Sequence, residues 1–342
     1  SSDLRLAPQG LRFVLLTSVL QAFVGALFDG MNIIGSYPFR VTRNSDLFLD
    51  EEEIKDLRSA LQGELPQRHY GDSVRLEIAA GCPLAMEEFL LREFELTEAD
   101  LYRVDGPVNL VRLMQVPDMI DRPELKFRAF QPSVPKVLDA SSDVFAAIRH
   151  GDILLHHPYQ SFTPVIDFLD QAASDPDVVA IKQTVYRTGT DSVLMKYLID
   201  AAKSGKEVTV VVELLARFDE EANLTWASKL EEVGAHVVYG VVGYKTHAKM
   251  LLVVRREHGR LKRYAHLSTG NYHPRTAKLY TDFGLFTCND MLCEDVNDAF
   301  KQLTGLGRAR NLHQLWLAPF TLHDGLTAAI RRETRHARQG RP

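Results

Sequence analysis

From residue 177 to residue 239 the chain alternates apolar runs with segments of helical periodicity, an order that commits this stretch to a sheet with helices on its faces. Asp177–Tyr186 (DVVAIKQTVY) is the near-continuous apolar run of a buried strand. Asp191–Lys203 places Leu194, Tyr197, Leu198 and Ala201 at helical spacing, and Gly205 supplies the stop. Glu207–Leu215 reads as the next strand, Asp219–Val233 as the next helix and His236–Tyr239 as the third strand. Strands joined through helices run parallel. Three further strand-like runs follow at Ala248–Val254, Arg263–Ser268 and Asp282–Cys288. The expected class is α/β, a mostly parallel sheet flanked by helices.

Upstream the order is irregular. Glu51–Leu61 and Leu84–Phe94 read as helices and Ser73–Ala79 as a strand, which makes an α+β head. Two prolines in Phe130–Pro135 (FQPSVP) mark a boundary near residue 131. Phe13–Phe28 is apolar but only 16 residues long and contains Thr17, Ser18 and Gln21, so it reads as a buried helix and not a membrane span. Asp3, Arg5 and Pro8 at the start do not make a signal peptide. Cys82, Cys288 and Cys293 have no metal-ligand spacing and cannot all pair, which suits a reduced, cytoplasmic protein. Net charge is −5, so the whole molecule offers no field for nucleic acid, and a polyanion would need a local basic cluster.

Such a cluster is readable. In open α/β sheets ligands bind beyond the carboxyl ends of the strands, and two strands here are followed by arginine, Arg187 and Arg217. On neighbouring strands, roughly 4.8 Å apart, their planar forks could converge on one phosphate. Salt bridges to Asp219 and Glu220 are the competing reading; it is the better one for either arginine alone, and for the pair the two readings stand level. Next comes Gly243-Tyr244-Lys245-Thr246-His247-Ala248-Lys249, leading into the strand MLLVV. Lysines on both sides of His247 disfavour the imidazolium and leave a neutral, nucleophilic ring. Ser268-Thr269-Gly270-Asn271 adds small polar groups at another strand end, with Arg275, Lys278 and Tyr280 close behind. Asp219-Glu220-Glu221 is explained by the dipole of the helix it opens, Trp226 and Trp316 by the core, and His156-His157 ahead of Pro158 by a turn.

His-x-Lys on a strand followed by a Gly-Asn loop resembles one half of the phospholipase D superfamily, although Val254 stands where that superfamily has an aspartate. YPFRVTRNSDL (37–47), KQTVYR (182–187), VVVELLARFDEEAN (210–223), KTHAKM (245–250) and STGNYHPRTAKLYTDFGL (268–285) together resemble the polyphosphate kinase family. The resemblance implies reversible transfer of the terminal phosphate of ATP to inorganic polyphosphate through a phosphohistidine, with magnesium. It makes His247 the phosphorylated nucleophile, Arg187 and Arg217 the metal–phosphate arginines and Tyr280 a nucleotide contact; Lys245, Lys249, Asn271 and Arg275 are expected to hold phosphate beside them. It further implies a partial head domain over 1–131, a first phospholipase D-like domain over 132–316 and the start of a second over 317–342. The opposing histidine and an N-terminal helical domain are then expected outside these residues. Homo-oligomers and a cytoplasmic place, or one peripheral to the inner membrane, belong to the same expectation. A non-catalytic polyphosphate-binding or assembly module and a phospholipase D-type phosphodiesterase are the alternative functions.

Overall fold

The computed structural model describes residues 12–44, 71–139, 143–187, 189–214, 216, 219–240, 244–309 and 312–341, the backbone of residues 4–6, and the single residues 58 and 63. They group into one compact unit of residues 1–49 and 62–130 and a second of residues 50–61 and 131–342.

In the first unit β1 (Leu4–Leu6) pairs antiparallel with β2 (Phe13–Leu15), which runs straight into α1 (Leu16–Ala22). The stretch Phe13–Phe28 is therefore not one buried helix. It divides into a strand, a short helix and a tighter turn at Val24–Leu27, with no buried residue in either helical piece. Val14, Val19 and Val24 and the flexible Gly25 are poor helix formers, which explains the division. β3 (Phe39–Arg43), β4 (Ser73–Ala79) and β5 (Leu101–Val104) form a three-stranded sheet, antiparallel then parallel. α2 (Leu84–Glu93) lays Leu90 against Leu76, Ile78 and Leu101. Strand and helix lie where the sequence placed them, whereas the helix expected at Glu51–Leu61 falls outside the described residues, Arg58 excepted.

The second unit runs α3 (Val144–His150), β6 (Ile153–His157), α4 (Thr163–Ser174), β7 (Val178–Val185), α5 (Val193–Lys203), β8 (Glu207–Val212), α6 (Glu220–Glu232), β9 (His236–Tyr239), β10 (Lys249–Glu257), β11 (Arg260–Ser268), β12 (Asp282–Thr287), α7 (Asp290–Leu303) and α8 (Leu322–Arg338). Its seven strands lie in the order β6-β12-β11-β10-β7-β8-β9. Helix starts are fixed locally: Ser192 Oγ accepts from the Met195 N–H before α5, and Asn289 Oδ1 from the Leu292 N–H before α7.

The fold is α/β, but the sheet is mixed. Only β7, β8 and β9 run parallel; every other neighbouring pair is antiparallel. One of the antiparallel pairs comes from a two-residue turn. His258 (φ 48) and Gly259 (φ 77) both take the left-handed backbone that a tight hairpin needs, so β11 folds straight back on β10. His156 and His157, read as a turn, instead end β6, and His157 is buried. Trp226 is core as expected, but Trp316 is half exposed and packs on Gly325.

Side chains alternate across the strands and both faces are covered. Phe145 of α3 and Phe168 of α4 meet Tyr264 and Phe286 on one face. Val296 and Phe300 of α7 meet Leu252, Ala265 and Val211 on the other. Asp295 of α7, 1% exposed, accepts three backbone N–H bonds, from His313 (2.9 Å), Gln314 (2.6 Å) and Leu315 (2.9 Å). Burial alone would raise its pKa; the three bonds outweigh that and hold it below the usual carboxylate range. Its contribution to stability is therefore present above the ordinary carboxylate pKa and lost as pH falls through the lower folded value. Asp295→Ala should cost about 2–4 kcal/mol at pH 7, because three N–H groups lose their acceptor, and the deficit should shrink toward pH 3. Urea melts of both proteins at the two pH values check it.

Candidate active site

The register brings seven segments to one edge of the sheet. β6, β7, β8, β9 and β11 end there, and β10 and β12 begin there: Leu251 faces Gln183, Lys249 faces Ser268 and Asp282 faces His157. His247, two residues ahead of β10, thus stands beside Tyr186, which follows β7. Their rings lie 5.4 Å apart, edge to face at 88°.

Tyr186 is the hub of the site. Lys245 Nζ lies 5.7 Å from its ring centre, Lys249 Nζ 5.3 Å and Arg187 Cζ 5.9 Å. The electron-rich ring face favours cations at this range. Sequence reasoning overlooked this residue, although it stands next to Arg187 in the motif. His247 and Lys245 are exposed, whereas Lys249 is 7% exposed and donates to the His247 carbonyl oxygen at 2.6 Å. Thr246 N–H donates to the buried carboxylate of Glu213 at 2.6 Å.

The electrostatics favour a neutral imidazole. Desolvation, then Lys249 and Lys245, push the His247 pKa below its ordinary value, so the ring is uncharged at pH 7. Desolvation lowers Lys249 to about 8, against an opposing pull from Asp282. Arg187 Nε lies 3.7 Å from Asp219 Oδ2, so the salt bridge weighed in the sequence exists, yet Nε is buried without a hydrogen-bond partner. Thr246 Oγ1 and Asn271 Oδ1 are buried and unpartnered as well. Such groups call for a ligand or water.

The loop after β11 carries the rest. Asn271 heads it, and Arg275 and Tyr280 stand on it with exposed side chains, Tyr280 at 61%. Thr269 donates to Asp282 at 2.8 Å, and Gly270 packs so closely on Asp282 that a side chain there would displace it. A buried pair unforeseen in the sequence anchors this loop. His266 Nδ1 lies 3.0 Å from the Tyr272 hydroxyl, which itself donates to the His266 carbonyl oxygen at 3.0 Å. Burial and the nearby His157 push His266 down to about 3, which keeps it neutral. Only glycine fits at 284, since a Cβ would lie 2.6 Å from His266 Nε2. Arg217 lies outside the described residues. Among the described residues no three His, Cys, Asp or Glu side chains gather as a metal cluster, and arginine offers donors only.

The sequence profile of the polyphosphate kinase C-terminal domain 1 matches residues 143–309, and that of the polyphosphate kinase middle domain matches residues 3–116. The chain belongs to the polyphosphate kinase family. Polyphosphate kinases of Burkholderia cenocepacia and Paraburkholderia phytofirmans are each 61% identical to it over 333 residues, 96% of this chain and 48% of theirs. The crystal structure of polyphosphate kinase from Porphyromonas gingivalis matches 99% of this chain and 49% of its own, with a TM-score of 0.79 at 27% identity. The chain thus spans about half the length of these polyphosphate kinases. No helix among the described residues is long and apolar enough to cross a membrane.

If Lys245 contributes to the depressed His247 pKa, Lys245→Gln should move that midpoint upward, toward the ordinary histidine value of about 6.5. Nitrogen-detected NMR titration of the ring measures it; an unmoved midpoint would leave desolvation and Lys249 as the whole cause.

Proposed function

We propose that His247 carries a phosphoryl group between ATP and inorganic polyphosphate. An imidazole nitrogen attacks the terminal phosphorus; the N–P bond forms as the P–O bond to ADP breaks. The terminal oxygen of a polyphosphate chain then attacks the same phosphorus, the N–P bond breaks, and the chain is one phosphate longer. The reverse sequence makes ATP. What carries this reading is a neutral imidazole set among Lys245, Lys249 and Arg187 around one tyrosine ring. Phosphoryl transfer asks mainly for positioning and for positive charge around the moving group.

The unpartnered Nε of Arg187 suits a phosphate oxygen, which a guanidinium grips bidentately. Arg217 in ARFDEEAN joins it by family resemblance, as Tyr280 in KLYTDF joins the nucleotide. Lys245, Lys249, Asn271 and Arg275 complete the phosphate-holding set. Magnesium would be held by phosphate oxygens and water, and when bound it neutralises phosphate charge. The division into a head, a first phospholipase D-like domain ending near 316 and the start of a second belongs to the same proposal. Net synthesis of polymer is assigned to full-length relatives, of which this chain spans 48%.

Incubation with polyphosphate, ATP–magnesium or phosphoramidate should leave one acid-labile phosphoryl group, located at His247 by mass spectrometry and absent from His247→Asn. No adduct with any of the three donors, or an adduct elsewhere, would falsify the role.

Arg187→Lys keeps the charge but loses the planar fork. Its polyphosphate affinity should fall on the order of tenfold, about 1.4 kcal/mol. Equal affinity by calorimetry would show that Arg187 acts as a plain charge.

A further inference from the structure

We infer that Glu213 is a positioning residue for the nucleophile: its buried carboxylate fixes the backbone that presents His247, and Asn223 locks Glu213 to the end of the arginine-bearing strand. The inference rests on the reading of His247 given above.

The segment that holds His247 lies outside the ladder. β10 begins at Lys249, and residues 245–248 have irregular backbone. Ladder pairing does not hold residues 245–248 themselves, and side-chain bonds hold them instead. Two bracket His247. On one side Glu213 Oε2 accepts the Thr246 N–H at 2.6 Å; on the other Lys249 Nζ donates to the His247 carbonyl oxygen at 2.6 Å. Glu213 is 2% exposed. A carboxylate is costly to bury and is retained only where it is well bonded.

Glu213 is itself held. Its N–H donates to the Val185 carbonyl at 2.8 Å. Asn223 of α6, 0% exposed, donates from Nδ2 to the carbonyl oxygens of Tyr186 (2.9 Å) and Glu213 (3.0 Å). One amide group thus ties the end of β7, with Tyr186 and Arg187, to the end of β8, and the Glu213 side chain carries the tie on to Thr246. This buried relay links the backbone that carries Tyr186 to the backbone that carries His247, and the two rings lie 5.4 Å apart. A 1 Å displacement of a reacting group can cost about a hundredfold in rate.

The test uses the 342-residue chain with phosphoramidate as donor, which does not depend on a nucleotide site. Glu213→Ala should slow phosphorylation of His247 on the order of 10- to 100-fold. Glu213→Gln, whose amide oxygen still accepts the Thr246 N–H, should recover most of that loss. Hydrogen exchange at the Thr246 amide should be slow in the wild type and in Glu213→Gln, and fast in Glu213→Ala. A purely structural carboxylate predicts no such division: equal rates in wild type and Glu213→Ala, or equal losses in Ala and Gln, overturn the inference. Should the Ala variant fail to fold, Glu213→Asp, which withdraws the carboxylate by one methylene, takes its place, and a wild-type rate there overturns it equally. If wild-type His247 accepts no phosphoryl group, the nucleophile reading falls, and Thr246 exchange alone decides whether Glu213 anchors the segment.

Discussion

The arrangement depends on the antiparallel pairing of β10 with β7, in a register that sets Leu251 opposite Gln183. Had the chain continued with parallel strands after β9, the segment leading into β10 would lie at the far edge from Tyr186 and Arg187. Reversal of direction brings the start of β10 to the end of β7, and adjacency in the sheet brings their flanking residues within ring contact. A slip of one residue would turn Lys249 to the opposite face of the sheet, away from Tyr186. The register is protected by burial, since Met250–Val254 are all buried and alternate into cores on both faces.

The two edges of this sheet treat charge differently. At the far edge Arg255 pairs with Asp175, Asp177 and Glu257, and Arg149 pairs with Glu257 and Asp143. Positive charge there is matched by acid, and the Tyr264 hydroxyl donates into the same network. At the near edge Lys245, Lys249 and Arg187 gather around an aromatic ring, and Asp219 reaches Arg187 only at 3.7 Å. Desolvation lowers the pKa of both His247 and Lys249, and the two lysines lower that of His247 further, so positive charge at this edge is costly. A bound polyanion would reverse that cost. Clustered basic groups therefore mean stability at one edge and an incomplete site at the other.

Much of this was legible in the sequence where one residue type had one reason to be present. VVAIKQTV and EVTVVV are buried on both faces, so their apolar runs stood out, and β7, β8, α5 and α6 fall within a few residues of expectation. His247 was legible because two lysines flank it. β6 was not, since ILLHH is five residues long and its histidines ahead of Pro158 suggested a turn, whereas His157 is buried with its Nδ1 on the Gln160 carbonyl. The hairpin of β10 and β11 was missed because its signal is one dipeptide, His258-Gly259. Tyr186 was passed over because its contacts come from residues some sixty positions away along the chain, a pairing that only the fold supplies.

Glu213 and Asn223 illustrate the same limit from the other side. Within VVVELLARFDEEAN a glutamate after three valines invites a solvent-facing assignment, and an asparagine in the first turns of a helix invites none at all. Both are nearly inaccessible, and both bond to backbone atoms, to which a neighbouring side chain leaves no signature in sequence. Polar residues buried against main chain define where irregular segments run, as ladders define strands. In this unit the ladders build the edge. The polar relay from Asn223 through Glu213 to Thr246 then fixes a segment that the ladders leave undetermined, the one carrying the histidine.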